Sequence, residues 1–260
     1  MKLLIKQQRH SGFFSDFNLI VSSLLHCYKN NITDYNIIWN NWRYQDDQTK
    51  NLYDDVFVRQ TVIEMPDSIL HVDALEEVKI WAPFVFANKS IFTELNNILT
   101  HIKYFENPIY NKMFDIAKVQ INKCCLGVHA RYTDSTQHRP YLPITDYFNA
   151  IETAVRKNKS INGLFVATDD EKVLEQIINR YGEKTVIYNK NIIRSTTGQG
   201  LHLDPTFPYK HKLMEDVILD GVCISLCNEV IHTASNVIGY SLMLNPECRS
   251  NQIDKHLPHY

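Results

Sequence analysis

Apolar and polar positions fall into two regimes that meet near residue 119. Beyond it, short apolar runs alternate with stretches of helical period, the spacing of parallel strands joined by helices. Residues 124–128 form an apolar run that ends abruptly in His129, Arg131, Thr133 and Asp134. A helix follows with Tyr147, Phe148, Ile151, Ala154 and Val155 on one face, then a strand over 163–167. The next helix carries Val173, Leu174, Ile177, Ile178 and Tyr181 and stops at Gly182, a C-cap. Residues 185–188 make a third strand. After a polar loop over 189–210, which contains Thr197-Gly-Gln-Gly200, the pattern predicts a helix over 212–227 and a strand over 229–233. A helix start at Ser235 and a last strand near 242–244 complete a doubly wound parallel sheet.

Before residue 119 the pattern is weaker. Residues 2–5 have strand character, and Leu19, Ile20, Val21, Leu24 and Leu25 fall at helical spacing. The loop between them holds Gly12. Strand, glycine loop and helix together aim backbone N–H groups at a ligand. A tight turn capped by Ser15 or Asp16 accounts for the same residues equally well. Tyr35–Trp39 is a strand, and 95–104 and 109–119 are helices, the second begun by Pro108. Residues 40–67 show no clear period, and 80–86 are apolar around Pro83. A smaller N-terminal domain over 1–118 and a C-terminal domain over 119–260 are expected.

The 260 residues suffice for one large domain or two modest ones, and a net charge of -2 argues against a nucleic-acid partner. No apolar run approaches the ~20 residues of a membrane span. The start, Met-Lys-Leu-Leu-Ile-Lys, lacks the apolar region of ~7–15 residues of a signal peptide, so a cytoplasmic protein is expected. The six cysteines include no CxxC pair, and Cys223 and Cys227 stand at helical spacing without histidines nearby. Buried free thiols are expected, and no zinc site. Asp46-Asp47 and Asp54-Asp55 are taken as solvated charges, not metal ligands. No GxGxxG follows a predicted strand, which disfavours a dehydrogenase.

Three strand ends carry the candidate chemistry. In an open α/β sheet, ligands bind at the carboxyl ends of the strands. His129 and Arg131 end the first strand and suit an anionic, phosphorylated ligand. Thr168-Asp169-Asp170 ends the second. Thr233-Ala-Ser235-Asn236 ends the third and opens a helix, presenting N–H groups and a hydroxyl. Each has a plainer reading: a Thr168/Glu171 capping box, a Ser235 N-cap, a buried histidine at 129.

His129-Ala-Arg131-Tyr-Thr-Asp134 resembles the His-x-Arg-Arg-Thr-Asp motif of the GDP-fucose-dependent fucosyltransferases, a superfamily that includes the core α1,6, nodulation and protein O-fucosyltransferases. Ala167-Thr-Asp-Asp170 is similar to its second motif. Val217-Ile-Leu-Asp220, with Leu226 and Val230-Ile-His-Thr-Ala-Ser235, resembles the third, in the same order. The likeness covers about residues 119–245. It implies a GT-B architecture of two Rossmann-like halves facing a cleft, the first one reduced and on the acceptor side. It implies inverting transfer of L-fucose from GDP-β-L-fucose to a glycan hydroxyl, with no metal or other cofactor. Arg131 would meet the β-phosphate, His129 and Asp169 the nucleoside, and Ser235 the diphosphate; Asp170, Thr233, Asn236 and the Gly12 loop complete the donor set. Two departures stand out. Tyr132 occupies the place of the motif's second arginine, and the glutamate thought to be the base in the α1,6 enzyme would fall near Arg139. Asp134, His138 and Asp16 are therefore the candidate bases. A different nucleotide sugar, or a non-catalytic nucleotide- or glycan-binding relative, are the alternatives.

Overall fold

The computed structural model describes residues 3–7, 12–33, 35–47, 49–57, 89–121, 124–133 and 142–254. The second half is built on five parallel strands: β3 (Cys125–Ala130), β4 (Gly163–Thr168), β5 (Val186–Ile187), β6 (Glu229–His232) and β7 (Arg249–Gln252). Their spatial order is β5-β4-β3-β6-β7. The chain thus leaves β3 in one direction through β4 and β5, then returns to its other side for β6 and β7. The switch point lies between β3 and β6, where His129 and His232 are paired neighbours. A crevice at the carboxyl ends of these two strands follows from that topology.

β3 and β4 are buried at every position, which is why they read as continuous apolar runs. Alternate residues nevertheless serve different faces. Leu126, Val128, Ala130, Leu164 and Val166 pack with α5 (Ile144–Lys157) and α6 (Glu171–Tyr181). Cys125, Phe165 and Ala167 face the larger core with α7 (Lys210–Ser225) and α8 (Asn236–Leu244).

The first half contributes β1 (Leu3–Gln7), α1 (Phe13–Lys29), β2 (Tyr35–Trp39), α2 (Leu52–Val56), α3 (Lys89–His101) and α4 (Pro108–Gln120). β1 and β2 form a parallel pair. The expected boundary at 118/119 falls at the end of α4, and the larger core runs straight across it. Phe14 stacks on Tyr240 of α8 at 4.2 Å, and the Tyr104 and Tyr240 hydroxyls are 2.8 Å apart. Asn96 Nδ2 donates to the Met243 carbonyl at 2.7 Å. At Gly221 of α7 an added Cβ would stand 2.5 Å from the Tyr240 ring, so α7 and α8 approach through that missing side chain.

Residues 242–244 are not a strand: α8 runs through them, and β7 supplies the last strand. α8 is buried almost all round. A short apolar run of that kind has no period to separate helix from strand. Gly182 ends α6 with φ of +83°, as expected of a C-cap glycine. Five of the six cysteines are buried, and all are free. Burial raises the Cys27 thiol to about 11 and the Cys248 thiol to about 12, so neither is a thiolate near neutrality. The Ile80–Phe86 run lies outside the described residues.

Candidate active site

A cavity of about 460 Å³ opens at the carboxyl edge of β3, β4 and β6. His129, Arg131 and Thr133 line it after β3, Thr168 and Asp169 after β4, and Thr233, Ala234 and Asn236 after β6. The opposing wall comes from the first half: Gly12–Ser15 at the start of α1, with Arg43 and Tyr44 after β2. Loop residues Ile192, Ile193 and Gly200–Leu203, and Leu213, Asp216, Val217 and Asp220 of α7, complete it. The groups expected to converge, Gly12, His129, Arg131, Asp169, Thr233 and Asn236, therefore do share one cavity.

Strand geometry explains their placement. His129 is one residue from the end of β3 and in register with Ala167 and His232. Its face of the sheet is that of Cys125, toward α7 and α8, so its buried ring meets the cavity from below. Asp169 leaves β4 beside the end of β3. There its Oδ1 accepts from the Tyr132 N–H at 3.0 Å and its Oδ2 from the Thr133 hydroxyl at 2.6 Å. These bonds fix the turn that carries Arg131. A carboxylate offers about four lone-pair sites, so acceptor capacity is left for a ligand.

After β6, the Asp254 carboxylate accepts the Ala234 N–H with both oxygens, at 3.1 and 3.0 Å. Asn236 accepts from Asn18 Nδ2 at 3.1 Å, which couples α8 to α1. α8 begins at the cavity, and its positive dipole end therefore faces it.

Three expected residues are placed elsewhere. Asp170 is the N-cap of α6, its Oδ1 accepting from the N–H groups of Lys172 at 2.8 Å and Val173 at 3.1 Å; it does not line the cavity. The cap is thus two residues later than in the Thr168/Glu171 box. Ser235 is the N-cap of α8, accepting from Val237 N–H at 3.3 Å, and also stands off the cavity wall. Asp16, a candidate base, is 0% exposed. Its Oδ2 accepts from Trp39 Nε1 at 3.2 Å and Asn41 Nδ2 at 2.7 Å, behind the wall. A carboxylate so enclosed cannot reach an acceptor hydroxyl. Asp134 and His138 lie outside the described residues.

The wall also contains groups that were not anticipated. Asp220 is half-buried in the wall, and its desolvation there pushes its carboxyl up to about 7, although the Arg194 charge and a 2.6 Å hydrogen bond from Asn189 pull it down. Its neighbour Asp216 is likewise raised by burial and pairs with Lys212. Asp220 ended the third motif segment, so a signal existed. Arg43 lies in the stretch without a period, where none did. Among the described residues no group of three or more His, Cys, Asp or Glu side chains is placed to hold a metal, and no helix is long and apolar enough to cross a membrane.

Two α/β halves meeting over a cavity at the switch point of a parallel sheet define the GT-B glycosyltransferase fold. Within that fold the chain is similar to the NodZ fucosyltransferases. NodZ alpha-1,6-fucosyltransferase soaked with GDP-fucose matches with a TM-score of 0.58 and 15% identity, over 100% of this chain and 98% of its own. Fucosyltransferase NodZ from Bradyrhizobium matches at 0.55 and 15%, with the same coverage. NodZ co-crystallised with GDP matches at 0.50 and 16%, over 94% and 93%. No family model and no curated protein matches the chain.

Proposed function

We propose that the protein is an inverting, metal-independent fucosyltransferase of the cytoplasm that moves L-fucose from GDP-β-L-fucose to a glycan hydroxyl. The observation that carries this reading is the convergence of His129, Arg131, Asp169, Thr233 and Asn236 on one cavity at the switch point, in a fold shared with NodZ.

Breaking the bond between fucose C1 and the diphosphate oxygen leaves charge on the nucleotide. Groups that meet this charge more strongly as it grows lower the barrier. Arg131, on the turn that Asp169 holds, takes the β-phosphate, and the α8 dipole adds to it. His129 and Asp169 serve the nucleoside. Ser235, as cap of α8, acts by fixing the helix start, and Asp170 by fixing α6. A base removes the acceptor proton as the hydroxyl attacks C1 from the face opposite the diphosphate. Asp134 and His138, in the segment after β3, are the candidates for it.

Arg131→Ala should cost about 10²–10³ in transfer rate, the usual loss for one such electrostatic contact, with the melting temperature little changed. Undiminished transfer would overturn the assignment. Thermal stabilisation by GDP, UDP and ADP tests the donor: a specific ligand stabilises by mass action. No preference for GDP would favour another nucleotide sugar. GDP binding without GDP-fucose turnover on a glycan array would favour a non-catalytic relative.

A further inference from the structure

The chain has already compensated most of the charged groups in this cavity. Asp169 is held by Tyr132 and Thr133, Asp216 is paired with Lys212, and Asp220 is bonded to Asn189 beside the Arg194 charge. Arg131 has interactions of its own within the chain. Arg43 differs. Among the described residues its guanidinium has no hydrogen bond and no ion pair, and its Nε is buried without a partner. Its guanidinium lies 5.5 Å from the centroid of the Trp42 ring, and Lys210 Nζ shares that ring at 4.8 Å.

The backbone that carries Arg43 is, by contrast, heavily anchored. Its N–H donates to Asn41 Oδ1 at 3.1 Å, and Asn41 Nδ2 donates to buried Asp16 at 2.7 Å. Gln45 Oε1 accepts the Asn41 N–H at 2.7 Å. Next door, the Tyr44 ring packs on Phe13 at 5.5 Å, the first residue of α1, and on His202 at 6.1 Å. Buried polar bonds thus fix the loop, while the cation it presents to the cavity is left unpaired. A buried donor without an acceptor is costly, and a ligand that supplies one recovers that cost on binding.

We propose that Arg43 binds the diphosphate of the nucleotide donor from the first half, opposite Arg131 on the second. This rests on the nucleotide-sugar reading above. A diphosphate carries more than one negative charge, and one guanidinium neutralises only one. Guanidinium is also the side chain whose planar fork matches phosphate oxygens. Because the two cations come from different halves, the bound nucleotide bridges the cleft.

Calorimetric titration of wild type, Arg43→Ala and Arg43→Lys with GDP and with guanosine tests the assignment. Arg43→Ala should weaken GDP about ten- to hundredfold, as loss of a charged hydrogen bond does, and leave guanosine unchanged. Arg43→Lys, which keeps the charge without the fork, should fall between. Wild-type affinity for GDP in Arg43→Ala would overturn this role and leave the donor reading standing. An equal loss of GDP and guanosine would mark a structural residue and overturn it too. A wild-type protein that binds neither overturns the donor reading and this inference together.

Discussion

The two walls of the cavity are built in opposite ways. On the second-half wall, polar groups hang from the ends of strands buried on both faces, and the chain holds several of them itself: Asp169 with Tyr132 and Thr133, the Ala234 N–H with Asp254. The first-half wall is a helix start and a loop held from behind by Asp16, Asn41 and Gln45, with the Arg43 guanidinium in front unpaired among the described residues. Both walls meet the ligand, the second half mostly through groups the chain already holds in bonds of its own, the first through a guanidinium that has no hydrogen bond among the described residues. Damage should therefore read out differently: on the first side as lost support, on the second as lost capping or charge balance.

The largest stability effect is expected where that support is concentrated. Asp16→Ala leaves Trp39 Nε1 and Asn41 Nδ2 without their buried acceptor, which should cost about 3 kcal/mol in chemical denaturation. Asp16→Asn keeps the shape and one acceptor, and should retain most transfer activity while lowering stability less. A base would behave in reverse, with activity abolished and stability intact, so that outcome would return Asp16 to the chemistry.

The same contrast decided what could be read from the chain. β3, β4 and β6 were legible because apolar runs break off in polar residues at the strand ends, and that break is the site. α8 was misread over 242–244 because it is apolar on every side. In the first half, Phe13, Phe17, Trp39, Phe57 and Tyr104 make an aromatic core shared with Tyr240 of α8. Residues that pack across the cleft need not repeat with either period, so the wall they support had no sequence signature. Arg43 illustrates the limit: what singles it out is the absence of a partner, which only tertiary structure reveals.

On the second-half wall the sharpest probe is pH. With its carboxyl raised to about 7, folded Asp220 still holds a proton that the unfolded chain releases near the usual 3.8. Between those values the folded state binds more protons, so stability falls as pH rises and levels off above about 7. Asp220→Asn carries no such proton. Denaturant midpoints at about pH 4 and about pH 8 should therefore fall less in the variant than in wild type. Equal changes in both proteins would mean that Arg194 and Asn189 already hold Asp220 ionised at the lower pH.

The smallest effect separates capping from binding at one pair of neighbours. Asp169 and Asp170 are adjacent in sequence, yet only Asp169 lines the cavity, while Asp170 serves the first N–H groups of α6. Asp170→Ala should cost about 1 kcal/mol, the usual worth of an N-cap, and leave GDP affinity where it was. Asp170→Ser, another capping residue, should recover most of that loss. If Asp170→Ala instead weakens GDP and Asp170→Ser does not restore it, the carboxylate touches the nucleotide. The second-half wall would then present one more carboxylate to the ligand, and the contrast between the walls would narrow.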